Sequence, residues 1–227
     1  KLTLQLAALI ESRLQQTWPP EEIVGSELVG VLSFKTIYSW IHRGFLAVTE
    51  KVFRRKGKKP GTQEKRGRFN VKKTIKDRPK EVENRKTFGH WELDTMVSSR
   101  GQSKGGLATF VERKTRFYVA IKMDDRSKDS MFLAISSLYN TLTSKLLKTF
   151  TVDRGKEFAC FEQVETEFGI PMYFADAYAA WQRGSNENSN GLLREFFPKK
   201  TDLAKVTLDK LTEALMLINN RSRKCLG

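Results

Sequence analysis

The sequence predicts an α/β protein built on a mixed sheet with flanking helices, preceded by a small all-α unit and a basic linker. Three observations predict it. Apolar residues recur at helical spacing in the first fifty residues, basic side chains crowd the next thirty, and alternating strand-forming runs appear from residue 88 onward. With 227 residues, 39% of them hydrophobic, the chain can bury a substantial core, which excludes wholesale disorder. No apolar run approaches the roughly 18 residues that would span a bilayer, and the opening Lys1-Leu2-Thr3-Leu4 lacks a signal-peptide pattern. It also lacks Met, so the chain reads as a fragment of a longer one. Cys160 and Cys225 are too few for a disulfide framework and stand in no metal-ligand spacing, which points to a reducing, cytoplasmic setting.

In the N-terminal unit, Leu6, Leu9, Ile10 and Leu14 predict a first helix over about residues 3–16. Pro19 and Pro20 followed by Glu21 and Glu22 suit the first turn of a second helix, expected to reach about Val29. Gly30 begins a turn, and Ser33 can cap a third helix carrying Phe34, Ile37, Tyr38 and Ile41 and closed by Gly44. Three short helices with a turn before the last resemble a helix-turn-helix domain, assigned to residues 1–48. Its third helix would present Lys35, Thr36, Ser39 and His42 to a major groove. A plain three-helix bundle fits the same pattern, and the net charge of −1 over residues 1–50 does not favour DNA by itself.

The formal charge of +15 is concentrated. Residues 51–80 hold fourteen basic and two acidic side chains, whereas residues 81–227 hold twenty-three basic and nineteen acidic. Arg54, Arg55, Lys56, Lys58 and Lys59 lie in this stretch among Gly57, Pro60, Gly61, Gly67 and Pro79, without an amphipathic period. Residues 49–84 therefore read as a basic linker. So many like charges repel one another unless a polyanion neutralises them, so a nucleic-acid phosphate backbone is the expected partner rather than a membrane.

Residues 85–227 carry the α/β domain. His90–Val97, Leu107–Arg113 and Arg116–Met123 read as strands, Ser127–Leu142 as a helix, and Lys148–Val152 as a strand. Cys160–Phe168 then reads as a helix, Met172–Ala175 as a strand, and Asn186–Phe197 and Leu208–Asn219 as helices. Three strands, then helix, strand, helix, strand, helix is the order of a ribonuclease-H-like fold.

Three acids occupy unusual places in this pattern. Asp94 lies within a strand otherwise rich in Trp, Leu, Met and Val, where burying a carboxylate without a partner costs several kcal/mol, as an order of magnitude. Asp153 follows a strand end, before Gly155, where strands open onto a ligand-holding crevice. Glu187 stands near the start of a helix, with 33 residues between it and Asp153. In a ribonuclease-H-like sheet the first and fourth strands are neighbours, so Asp94 and Asp153 would share a crevice that Glu187 overlooks. Three converging carboxylates need cations between them, and hard oxygen ligands with open positions suit two Mg²⁺ or Mn²⁺ ions set for phosphoryl displacement. Arg183, Glu187, Asn190 and Arg194 fall on one helical face, a mixture that suits a metal ligand flanked by phosphate-holding groups.

Several stretches closely resemble bacterial insertion-sequence transposases of the IS-thirty family. They are Gly89-His90-Trp91-Glu92-Leu93-Asp94-Thr95, residues 107–117, Asp153-Arg154-Gly155-Lys156-Glu157-Phe158 and residues 173–188. The likeness continues through Asn190-Gly191-Leu192-Leu193-Arg194 and Phe196-Phe197-Pro198-Lys199, and includes Thr36-Ile37-Tyr38. The resemblance implies an Asp-Asp-Glu transposase with an integrase catalytic core, in which Asp94, Asp153 and Glu187 would be the metal-binding triad. Such an enzyme hydrolyses a strand at each element end, and the freed 3′-hydroxyl attacks target DNA. The implied partners are double-stranded DNA, both terminal inverted repeats and target, and further copies of the chain, in a bacterial, nucleoid-associated setting. Family members usually carry Asn after the second Asp, where Arg154 stands here; its guanidinium could pair with Asp153 or hold a phosphate. The chain also stops at Gly227 where relatives continue, which reads as a truncated C-terminus. Two other readings share parts of this evidence: a DNA-binding repressor of its own element that has lost catalysis, and a ribonuclease acting on RNA–DNA hybrids.

Overall fold

The computed structural model describes residues 2–53, 72–99, 101–176 and 179–226. The chain forms two compact units, one of residues 1–64 with 216–227 and the other of residues 65–215. Residues 54–71, and with them Arg54, Arg55, Lys56, Lys58 and Lys59, lie outside the described residues. Among the described residues no helix is long and apolar enough to cross a membrane.

The first unit holds α1 (Leu4–Gln15), α2 (Pro20–Ser26) and α3 (Phe34–His42). The Thr3 and Ser33 side chains accept from the Leu6 and Lys35 amides and start α1 and α3, while Pro20 and two glutamates open α2. Ile10, Leu14, Ile23, Ile37 and Ile41 meet in a shared core. The second helix stops three residues short of the expected Val29. The Leu28 amide reaches back five residues to the Ile23 carbonyl (3.3 Å), which unwinds the end and turns Leu28 into the core. Residues 27–33 join α2 to α3, a longer connection than the roughly 3–4 residues of a standard helix-turn-helix. Arg221, from the closing stretch of the chain, is buried in this unit and pairs with Glu22 at 3.1 Å.

In the second unit, β1 (His90–Val97), β2 (Gly106–Glu112), β3 (Tyr118–Met123), β4 (Thr149–Val152) and β5 (Met172–Phe174) form one sheet in the order β3-β2-β1-β4-β5. The pairings β1–β2 and β2–β3 are antiparallel, and β1–β4 and β4–β5 are parallel. This is the mixed sheet expected from the element order. The third strand starts at Tyr118 rather than Arg116. Arg116 adopts a left-handed φ of 64° and its amide closes a turn on the Glu112 carbonyl.

The helices α5 (Lys128–Thr141) and α6 (Phe161–Phe168) cover one sheet face, where Trp91, Leu93, Phe150 and Val152 pack against Met131, Ile135 and Val164. The other face, carrying Glu92 and Asp94, receives α7 (Gly184–Phe196). Period-two alternation therefore sends Trp91 and Leu93 into the apolar core and their neighbours Glu92 and Asp94 toward α7.

The stretch expected as linker is folded where it is described after residue 71. Thr74 bridges Phe174 in parallel, and the Asp77 carboxylate accepts from the Thr74 amide at 2.7 Å to close a single turn. The short α4 (Glu81–Asn84) follows and buries Val82 completely. Elements this short carry no periodic signal, so composition alone hid them.

Candidate active site

Asp94 leaves the middle of β1 and Asp153 stands one residue past β4. The parallel register pairs Glu92 with Thr151, and the same stagger carried two residues further sets Asp94 beside Asp153. Arg183, at the N-terminal boundary of α7, lies between them. Its Nη2 is 3.1 Å from Asp153 Oδ2 and its Nη1 is 3.6 Å from Asp94 Oδ2, and Nη1 also donates to the Leu93 carbonyl at 3.0 Å. The second oxygens are held locally. Asp94 Oδ1 accepts from the Thr95 amide and Asp153 Oδ1 from the Gly155 amide, both at 2.8 Å.

A second α7 residue reaches the same carboxylate. Asn190 Nδ2 donates to Asp94 Oδ2 at 3.2 Å, while its Oδ1 accepts from the Tyr118 hydroxyl at 2.8 Å. Burial pushes the Asp94 carboxyl above its ordinary value; Arg183 opposes the rise and Asp153 adds to it. Burial, and then the Asp94 charge, hold the Tyr118 phenol well above its usual value, so it remains a donor. Arg194, further along α7, donates to the Val97 carbonyl at 3.1 Å, with its pKa lowered by burial.

Glu187 is exposed in the first turn of α7, four residues after Arg183 and three before Asn190. Helical spacing puts it on the face from which Arg183 and Asn190 touch Asp94. The structure thus brings Asp94 and Asp153 together around a guanidinium, and Glu187 stands apart from the pair. Among the described residues no group of three His, Cys, Asp or Glu side chains is close enough to hold a metal ion. Two neighbouring carboxylates that already draw in a cationic group are nonetheless a donor set that fits a hard divalent cation.

The integrase core domain family matches residues 84–180. The transposase InsI of insertion sequence element IS30A from Escherichia coli (strain K12) is 33% identical over 241 residues, covering 98% of this chain and 62% of that protein. The transposase for insertion sequence element IS4351 from Bacteroides fragilis is 35% identical over 238 residues, covering all of this chain and 71% of that protein. The chain belongs to the IS30-type transposase family. Its length is less than two thirds of the IS30A protein's. The catalytic core domain of BIV integrase is a similar solved structure, with a TM-score of 0.48 and 17% identity over 60% of this chain and 87% of that one.

The residue after Asp153 is Arg154, and its side chain turns away from the pair. Arg154 Nε donates to the Ala175 carbonyl at 3.3 Å, whereas the guanidinium paired with Asp153 belongs to Arg183. On α3, Lys35 and His42 are exposed and Thr36 and Ser39 half-buried.

Two buried acids near the site had no place in the sequence reading. Glu157 accepts from the Thr95 hydroxyl at 2.8 Å and pairs with Arg126 at 2.5 Å. A β-carbon on Gly155 would lie 2.5 Å from the Glu157 carboxylate, so any larger residue there requires that buried side chain to shift. Glu92, on the same face of β1 as Asp94, is wholly buried and paired with Arg113. Burial draws Arg113 down to about 10 while Glu92 opposes the fall, so the guanidinium stays charged at neutral pH. Period-two alternation put Glu92 beside Asp94, and that was the only signal available for it.

Proposed function

We propose that the chain is the DNA-recognition and catalytic part of a metal-dependent transposase that cleaves insertion-sequence ends and joins them to target DNA. The observation that carries this reading is the meeting of Asp94 and Asp153 on adjacent parallel strands beneath the helix that bears Glu187. Membership of the IS30-type family supports it, and the integrase core match supports a divalent-metal requirement.

In this reading residues 1–48 recognise terminal inverted repeats through Lys35, Thr36, Ser39 and His42. Residues 49–84 track phosphates through Arg54, Arg55, Lys56, Lys58 and Lys59, and the five-stranded sheet with α5, α6 and α7 forms the catalytic core. Asp94, Asp153 and Glu187 hold two Mg²⁺ or Mn²⁺ ions. When bound, such ions stabilise the attacking and leaving oxygens of an in-line phosphoryl displacement. Arg183, released from the two carboxylates, takes a phosphate oxygen. Asn190 keeps Asp94 oriented, with Tyr118 fixing the amide. Arg194 lies one and two turns beyond Asn190 and Glu187, toward the DNA path. The active species is a multimer assembled on DNA.

Cleavage of a labelled element-end duplex tests this. Nicking is expected with Mn²⁺ or Mg²⁺, none in EDTA, and none with Asp153→Asn. The guanidinium seated on both acids favours a second reading, a DNA-binding repressor of its own element; that reading requires salt-sensitive binding unchanged by EDTA and no cleavage.

A further inference from the structure

The helix that carries Glu187 has no cap of its own. Arg183 at its N-cap makes no side-chain capping bond, so the first amides of α7 need partners from elsewhere. One comes from the sheet. The amide of Asn186, third residue of α7, donates to Glu92 Oε2 at 3.0 Å, while Glu92 Oε1 takes the Arg113 guanidinium. A strand carboxylate thus terminates the helix where its dipole favours negative charge.

The Asn186 side chain completes the junction. Its Nδ2 donates to the Glu92 carbonyl at 2.9 Å, and its Oδ1 lies 3.2 Å from the Thr109 hydroxyl on β2. That hydroxyl is also 3.2 Å from the Asp94 carbonyl oxygen. Glu92, Thr109 and Asn186 are all fully buried. A further tie runs from Arg116 Nη1 to the Ser185 hydroxyl at 2.7 Å. Glu92 is two residues before Asp94, and Asn186 is one residue before Glu187. Buried polar groups held by several partners favour one geometry, because a displaced arrangement leaves a donor or acceptor unpaired in a dry interior.

We propose that Glu92, Asn186 and Thr109 are positioning residues: a buried clasp through which β1 caps α7 and sets the distance of Glu187 from Asp94. The clasp touches neither DNA nor metal. This rests on the transposase reading above and adds to it what fixes the third carboxylate relative to the first.

The test uses the 227-residue chain with Asn186→Ala, Thr109→Val and Thr109→Ser. Mn²⁺ binding is followed by loss of the free-ion electron paramagnetic resonance signal, and end-duplex cleavage is resolved into kcat and KM. Asn186→Ala keeps the backbone amide on Glu92, so the helix end survives. It is expected to weaken Mn²⁺ binding about tenfold and to lower kcat about as much, the usual cost of losing a group that orients metal ligands. KM for DNA should stay within about twofold of the parent value. Thr109→Val should act in the same direction and Thr109→Ser should restore both quantities; a purely structural contribution would leave metal affinity unmoved. Parent-like Mn²⁺ binding and kcat in Asn186→Ala, or a rise in KM alone, overturns the clasp. Parent protein that binds Mn²⁺ but cuts no end duplex overturns the transposase reading instead, and the resonance comparison then still decides the clasp. A parent chain that binds no Mn²⁺ overturns both.

Discussion

Arg183 Nη2 lies 3.1 Å from Asp153 Oδ2, and the same guanidinium reaches Asp94, so a fixed positive charge stands where the proposed chemistry requires a divalent cation. Two carboxylates on adjacent strands repel one another, and a guanidinium is the counter-charge that the chain itself can supply. In the proposed chemistry, metal entry and the release of Arg183 are therefore one exchange.

Replacing Arg183 with Gln removes the competitor. Mn²⁺ binding to the DNA-free protein should tighten about fivefold, on the order of 1 kcal/mol, because partial exposure of the carboxylates screens the interaction. DNA cleavage should fall even though metal binds better, since the phosphate contact is lost. Parallel measurement of Mn²⁺ affinity and cleavage rate checks both directions.

The raised pKa of Asp94 sets the direction of the pH response. Its protonated form cannot ligate metal, so affinity is present above the folded pKa and is lost as pH falls through it. Burial lifts that pKa, so the loss should begin at a higher pH than for an ordinary Asp near about 3.9. Arg183→Gln removes the main opposing charge and should move the acid limb higher still. Mn²⁺ titrations across mildly acidic pH, with parent and variant side by side, measure the shift.

Arg113→Met leaves the buried Glu92 carboxylate without its ionic partner. The expected cost is about 3–5 kcal/mol of folding stability, read from the midpoint of urea unfolding. The same change should weaken Mn²⁺ binding at temperatures where the protein remains folded, because Glu92 also terminates α7.

How much of this was legible beforehand depended on how local each signal was. Asp94 stood out because a carboxylate among Trp91, Leu93 and Met96 contradicts its surroundings, and Asp153 because a strand ended there. Their adjacency followed from element order once the fold was read. Glu92 carried the same alternation as Asp94, yet its meaning lies in Arg113 and Asn186, 21 and 94 residues away, where no local pattern reaches. Helical spacing groups Arg183 with Glu187, Asn190 and Arg194 and suggests a holder of phosphate, with no sign of its contact to Asp153. Arg183 precedes the first turn of α7 and can therefore cross to β4, a geometry that spacing along a helix does not encode. Arg154, adjacent in sequence to Asp153, could pair with it or hold a phosphate, and in the structure it turns to the Ala175 carbonyl.

The central claim is that Asp94, Asp153 and Glu187 share bound metal. Anomalous diffraction from crystals of the chain grown with Mn²⁺ and an element-end duplex tests it most directly. Manganese peaks are expected with carboxylate oxygens of all three residues at about 2.1 Å and with the Arg183 guanidinium withdrawn from Asp94 and Asp153. Manganese absent from the Asp94–Asp153 pair, or bound there with Glu187 outside coordination distance, would contradict it.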